Sequence, residues 1–119
     1  MIQVDRAPDL IKWRFPYDES EQPTIFHIRK SNAAENVYKA ITAISRRNEY
    51  DFNDWLADTF GNIERIENFP DKDGNPITIA GADEIIKACQ SLKEDDIYTL
   101  SAAVHRRGQA YELGLVEKN

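Results

Sequence analysis

One octapeptide in the middle of the chain places the strongest local constraint on the fold. Residues 70–77 have the sequence PDKDGNPI, in which Asp-Gly is followed at once by Asn-Pro. Both dipeptides favour turns, because glycine accepts a positive φ and proline cannot donate to a strand ladder. Apolar residues flank the turn, with Ile63 and Ile66 before it and Ile77 after it. The pattern predicts a β-hairpin over roughly residues 63–79.

The same octapeptide has aspartates at alternate positions before a glycine, as a calcium-binding loop does. An EF-hand loop needs oxygen ligands at its first position and a bidentate glutamate at its last. With Gly74 in the glycine position, the first and last positions of the loop are Phe69 and Ala80, which offer no side-chain oxygen. We therefore expect a turn and no metal site, and we expect Asp71→Ala to have almost no effect on stability.

Composition limits the classes of protein to which the chain can belong. Its 119 residues suffice for one compact domain. A formal net charge of -6 argues against binding to nucleic acid or to an anionic membrane, since both require a basic surface. No apolar run approaches the roughly 20 residues that span a bilayer, and we expect no signal peptide in the first residues, which carry early charges and no apolar stretch. With Cys89 as the one cysteine, we expect a cytoplasmic protein without an intrachain disulfide.

Short strands are predicted near the start of the chain. Residues 1–22 form an irregular, aromatic-rich segment, in which Ile11, Trp13 and Phe15 alternate on one face of a strand candidate. A second strand candidate, TIFHIRK, follows Pro23 and places apolar residues on both of its faces.

Two helices are predicted between these strands and the hairpin. Asn32 and Glu35 have capping-box spacing at the start of the first helix. The second, DFNDWLADTFG, ends at Gly61, and we expect Trp55 to be its buried anchor. The apolar positions at helical spacing are Val37, Ile41 and Ile44 in the first helix, and Phe52, Trp55, Leu56 and Phe60 in the second.

Two more helices are predicted after the hairpin, the first of them over residues 82–90. Ser91 and Glu94 then repeat the capping-box spacing before a helix that starts with acidic residues, which favour a helix N-terminus. The tail, residues 109–119, either docks as a last turn or strand or stays mobile. These elements predict an α+β fold: a single small domain over residues 1–119 with short N-terminal strands, a β-hairpin and about four helices.

The residues that usually carry catalysis do not form a recognisable pattern. His27 and His105 lie on different predicted elements, outside any metal-ligand spacing. Cys89 falls on the apolar face of a predicted helix, where cysteine behaves as a small hydrophobe. The five glycines are scattered singly, so there is no phosphate-binding loop. We therefore expect no enzyme activity, no catalytic residues, no cofactor and no metal.

The N-terminal aromatic residues leave two interpretations open. Trp13, Phe15 and Tyr17 alternate along the chain, and core packing is the commoner role for such residues. The alternative is a partner-binding surface made of these three residues together with Tyr111 and Leu113 from the tail. In that case Trp13→Ala is expected to abolish partner binding and to leave the melting curve intact.

The order of the segments resembles the small tail assembly chaperones of long-tailed phages and prophages. The similar pieces are PTIFHIRK, AAENVYKAITAISRR, FNDWLADTFGNIERIENF, DKDGNPITI, ADEIIKACQ and SLKEDDIYTLSAAVHRR, over roughly residues 23–107. The N-terminal aromatic segment and the tail after Gly108 lie outside this pattern. The resemblance implies a nonenzymatic protein in the cytoplasm of a bacterial host, with no catalytic residues to carry over. It implies binding to the tape-measure protein or to tail-tube subunits, which would be kept soluble until the tail polymerises.

A second hypothesis comes from the charge of the chain. A small acidic inhibitor or binding protein would cover a basic site on another protein, and a net charge of -6 would speed that encounter. The position of the gene distinguishes the two hypotheses: neighbouring tail-tube and tape-measure genes favour the chaperone, and a neighbouring regulatory or defence gene favours the inhibitor.

Overall fold

An antiparallel sheet and a layer of helices form an α+β fold, as the sequence predicts. The computed structural model describes residues 1, 10–30, 37–38, 41–42, 44–45, 49–106 and 116–117. The strands are β1 (Leu10–Trp13), β2 (Ile25–Arg29), β3 (Ile63–Pro70), β4 (Pro76–Ala80) and β5 (Val116–Glu117), in the sheet order β4-β3-β2-β1-β5. The helices described over their full length are α1 (Phe52–Phe60), α2 (Ala82–Gln90) and α3 (Glu94–His105).

The octapeptide forms the turn of the predicted hairpin between β3 and β4. The Asp71 carboxylate accepts hydrogen bonds from the backbone N–H groups of Asp73 and Asn75, each at 2.9 Å. Gly74 has a φ of 83°, which an L side chain rarely adopts. The turn interpretation is confirmed, and the Asp71 side chain holds the turn together.

A bulge in β3 sets the direction of its last residues. The pairing with β4 shifts register between Ile66 and Phe69, and Asn68 between them has a φ of 56°. The shift places Phe69 on the same face as Ile66, where Phe69 packs against the core. The Asn68 side-chain amide donates to the Pro23 carbonyl at 3.1 Å, and the Asn68 backbone carbonyl accepts from the Thr24 hydroxyl at 2.8 Å. The bulge therefore also fixes the chain that enters β2.

The hydrophobic core lies between the helices and one face of the sheet. Trp13 pairs with Phe26 across β1 and β2, and Phe26 pairs with Ile66 across β2 and β3, so these residues share a face. The helices contribute Leu56 and Phe60 from α1, Ile85 and Cys89 from α2, and Leu100 and Val104 from α3. Burying each large apolar side chain contributes about 1.5–3 kcal/mol to folding.

Two residues of the proposed partner-binding surface belong to this core. Trp13 is 1% exposed and Phe15 is 4% exposed, and their ring centroids are 4.8 Å apart. The reason is that β1 is flanked by β2 and β5, with the helices covering the face that carries Trp13. The interpretation of Trp13 and Phe15 as an exposed partner-binding surface is therefore wrong. The alternative interpretation, core packing, is correct for both residues. Tyr111 and Leu113 lie outside the described residues.

The helix starts differ from those that the sequence predicts. The bounds of α2 match residues 82–90, but Ser91 is its C-cap residue, and the Ser91 hydroxyl donates to the Ala88 carbonyl. Lys93 is the N-cap residue of α3, so the predicted Ser91–Glu94 capping box is wrong. A capping box instead starts α1, because Asp51 and Asp54 each accept a hydrogen bond from the other's backbone N–H.

The inner face of α1 is narrower than the predicted stripe. Leu56 and Phe60 are buried, whereas Trp55 is half-buried at the edge of the core. Phe52 is exposed and stacks on Trp55 with ring centroids 6.2 Å apart. The prediction of a buried apolar stripe is therefore wrong for Phe52, which is exposed. It holds only in part for Trp55, which packs against the edge of the core and meets Phe60 edge to face.

The first predicted helix is described in part. Val37, Ile41 and Ile44 have helical backbone, and their side chains are exposed. Asn32 and Glu35, which were predicted to start this helix, lie outside the described residues.

Candidate functional site

A groove of about 610 Å³ opens where the loop after β1, the end of β3 and the start of α3 meet. We name it the Tyr17 groove. Its apolar part includes Phe15, Tyr17, Phe26, Phe69, Pro70 and Leu92. Its charged residues are Asp18, Lys93, Asp95 and Asp96.

The apolar part of the groove is continuous with the hydrophobic core. Phe26 is fully buried, and Phe15 meets it edge to face with ring centroids 5.5 Å apart. Tyr17 stacks on Phe15 at 5.4 Å with an interplanar angle of 20°, yet remains 66% exposed. Phe69 and Leu92 are half-buried and pack against the core. Because core packing holds the residues beneath it, the apolar base of the groove is preformed.

A hydrogen bond ties Tyr17 to the first turn of α3. The Tyr17 hydroxyl donates to Asp96 Oδ2 at 2.8 Å, although 79 positions separate the two residues. Partial burial, this hydrogen bond, and the nearby charges of Asp96 and Asp18 raise the pKa of Tyr17 to about 12. The hydroxyl is therefore protonated at neutral pH and acts as a donor, which joins the loop after β1 to α3.

The shape of that loop depends on Asp18. Its carboxylate accepts hydrogen bonds from the Ser20 hydroxyl at 2.7 Å, the Ser20 backbone N–H at 3.3 Å and the Thr24 backbone N–H at 3.1 Å. Partial burial acts to raise the pKa of Asp18, but these hydrogen bonds outweigh it, and the pKa is lowered. The Arg14 guanidinium also donates to the Asp18 carbonyl at 2.6 Å. Asp18 is therefore ionised, and its position at the groove is fixed.

The groove carries more negative than positive charge. Three aspartates and one lysine line it, which gives a formal charge of -2. Asp95 and Asp96 lie in the first turn of α3, where they also complement the helix dipole, as the sequence analysis expects. The rim therefore attracts cationic groups and repels anionic ones.

A second polar cluster lies on the other face of the sheet. Lys12, His27 and Arg65 are cross-strand partners on β1, β2 and β3. His27 is 1% exposed, and its Nε2 lies 3.0 Å from Glu67 Oε1, without the geometry of a hydrogen bond. Burial and then the Arg65 charge lower the pKa of His27, and the opposing effect of Glu67 is smaller. His27 is therefore neutral at pH 7.

The remaining nucleophile and acid–base candidates lie on three different elements. Cys89 is fully buried, and burial raises the pKa of its thiol to about 12, so it is not a thiolate at neutral pH. His105 is in the last turn of α3, with its Nε2 3.3 Å from the Thr59 hydroxyl. His27 lies on β2, so the three side chains belong to three different elements.

Two features are absent from the described residues. None of the helices within those ranges is long and apolar enough to cross a membrane. Over the same part of the chain, no group of three or more His, Cys, Asp or Glu side chains is placed to hold a metal ion.

Only part of the Tyr17 groove is predicted by the sequence. Tyr17 was expected at a partner-binding surface and lies at the groove. Phe15 lies beneath Tyr17, and Trp13 lies in the core. The residues that were missed include Phe69, Leu92, Asp95 and Asp96. Their local sequence indicates a hairpin and a helix start, and only the tertiary fold brings them together.

Comparison with known proteins gives no relative for this chain. It matches no protein-family model, no curated protein sequence and no solved structure.

Proposed function

We propose that this protein is a nonenzymatic assembly protein of a long-tailed phage or prophage. It binds the tape-measure protein or tail-tube subunits in the cytoplasm of a bacterial host and keeps them soluble until the tail polymerises. The order of its segments over residues 23–107 supports this proposal, since it resembles that of the small tail assembly chaperones.

The Tyr17 groove is the observation that carries the proposal. It combines an exposed tyrosine, a preformed apolar base and a charged rim. Protein interfaces have this arrangement: aromatic anchors are enriched at their centre, and the rim is polar. A chaperone for self-associating subunits needs an apolar contact surface together with charge that keeps the free protein soluble. The net charge of -6 supplies the second requirement.

Co-expression with the tail proteins of the same genome tests this function. The chain is expected to co-purify with the tape-measure protein or the tail-tube protein and to increase its soluble fraction. Tyr17→Ser is expected to weaken co-purification strongly, because truncating an interface aromatic often costs about 2 kcal/mol or more of binding free energy.

Tyr98→Ser is the matched control for this experiment. Tyr98 lies on α3, is 72% exposed and does not line the groove. The Tyr98→Ser substitution removes the same side chain from a similarly exposed position outside the groove. Binding is therefore expected to remain at the wild-type level. The proposed function is wrong if the wild-type chain neither binds nor solubilises any tail protein encoded in the same genome.

A small acidic inhibitor is the second candidate function. The formal charge of -2 at the groove favours it, because such a rim suits a basic site on another protein. This candidate predicts binding to a basic protein that is not part of the tail, and a gene beside regulatory or defence genes.

A further inference from the structure

We propose that the Tyr17 groove binds a protein segment in which an apolar side chain is flanked by lysine or arginine residues. The inference rests on the proposed function only in taking the partner to be a protein. It specifies the chemistry of the partner segment and the residues that select it.

The base of the groove fits an apolar side chain of the segment. Phe69 and Leu92 are half-buried, and the Tyr17 ring is exposed beside them, so apolar surface remains in contact with water. Phe15 and Phe26 are buried, and Phe15 packs on both Phe26 and Tyr17, so core packing supports this surface from beneath. An apolar side chain that enters the groove removes that surface from water, which favours binding.

The carboxylates around the groove fit cationic side chains of the segment. Asp18 lies on the loop after β1, whereas Asp95 and Asp96 lie on α3, so negative charge is present on two separate elements that form the groove. Asp96 uses Oδ2 to hold Tyr17, and an ionised carboxylate has further acceptor sites for a guanidinium or ammonium group. A cation is therefore attracted from both sides.

The same charges discriminate against acidic segments. The single lysine, Lys93, does not offset the three carboxylates, and the whole chain carries -6. A segment with glutamate in place of lysine would meet repulsion at the rim and would lose the cation–carboxylate contacts. Electrostatic selection of this kind weakens at high salt, because the Debye length falls from about 10 Å at 0.1 M to about 3 Å at 1 M.

An NMR titration with two peptide probes tests the inference on the full-length chain. The cationic probe is acetyl-Gly-Lys-Leu-Phe-Lys-Gly-amide, and the acidic probe has glutamate in place of both lysines. The cationic probe is expected to produce saturable shifts in the backbone amide signals of Tyr17, Phe69, Leu92 and Asp96. It is expected to bind on the order of tenfold more tightly than the acidic probe at low salt, and the difference is expected to shrink at about 1 M salt.

Two double variants distinguish the effect of groove charge on probe binding from the effect of losing acidic residues at a helix start. Asp95→Asn with Asp96→Asn removes two carboxylates from the first turn of α3 at the groove. Asp83→Asn with Glu84→Gln removes two from the first turn of α2, outside the groove. The first pair is expected to weaken the cationic probe about tenfold, and the second pair less than about twofold.

The outcomes distinguish this inference from the proposed function. Equal affinity for the two probes, shifts away from the groove, or no shifts at all would overturn the inference, even where tail proteins co-purify with the chain. Selective binding of the cationic probe at the groove supports the inference, even where no tail protein binds; the client named under the proposed function would then be wrong.

Discussion

At the scale of single residues, the N-terminal aromatic side chains pass from the core to the surface. Trp13 ends β1 and is buried, Phe15 follows it into the core, and Tyr17 emerges above Phe15. The chain turns at this point, since the backbone N–H of Asp18 donates to the Phe15 carbonyl at 3.0 Å. Alternation along the sequence placed these residues on one side, but only the turn determines which of them reaches solvent.

The first prediction compares the two ends of this aromatic series. Trp13→Ala is expected to lower the free energy of unfolding by about 3–5 kcal/mol, because it leaves a cavity under the sheet. Tyr17→Ala is expected to cost about 1 kcal/mol, since the ring is largely exposed and loses one stacking contact and one hydrogen bond. Urea denaturation measures both values. Equal costs would contradict the assignment of Trp13 to the core and Tyr17 to the surface.

The second prediction concerns the pH dependence of stability. Because the pKa of His27 is lower in the folded protein than its usual value of 6.5, the unfolded chain binds more protons just below that pH. The free energy of unfolding is therefore expected to fall as the pH drops below about 6.5 and to change little from this group above it. Urea midpoints across about pH 5.5–7.5 measure the effect.

His27→Gln is the control for that titration. Glutamine keeps a polar side chain at the position and cannot titrate, so the loss of stability between these pH values is expected to shrink. A variant with the same pH profile as the wild type would assign the effect to other groups.

At the scale of elements, local sequence signals predicted which helices and strands form. They predicted less well where the helices begin and which of their side chains are buried. Asp-Gly-Asn-Pro predicted the hairpin, and apolar spacing predicted α2 with its observed bounds. The Asp51–Asp54 capping box was missed because aspartate, not glutamate, occupies its last position. The exposure of Phe52 could not be predicted from the sequence. Helical spacing shows which apolar residues share one side of the helix, but it does not show how many of them the core covers.

The third prediction concerns the hairpin turn. Asp71→Ala removes the acceptor for two backbone N–H groups and is expected to cost about 1–2 kcal/mol of unfolding free energy. This value replaces the sequence-based expectation of almost no effect. Asp73→Ala changes an exposed side chain in the same turn and is expected to stay within about 0.5 kcal/mol of the wild type. Thermal or urea denaturation of both variants decides whether Asp71 has this role.

At the scale of the whole molecule, the candidate site is a product of the tertiary fold. The hydrogen bond from Tyr17 to Asp96 joins two parts of the chain that are 79 positions apart, and the bulge at Asn68 turns Phe69 toward the core. The sequence identifies Tyr17 as a candidate and explains Asp96 as a helix-start residue. It contains no local signal that the two meet, so the groove was beyond prediction from sequence.

Site-specific crosslinking tests most directly whether the Tyr17 groove is the partner-binding site. Benzoylphenylalanine is placed at position 17 or, in a matched variant, at position 98, and each variant is co-expressed with the tape-measure protein of the same genome. Irradiation is expected to give a crosslinked product from position 17 and little from position 98, since Tyr17 lines the groove and Tyr98 does not. A product from position 98 alone, or none from position 17 while the two proteins co-purify, would contradict the account.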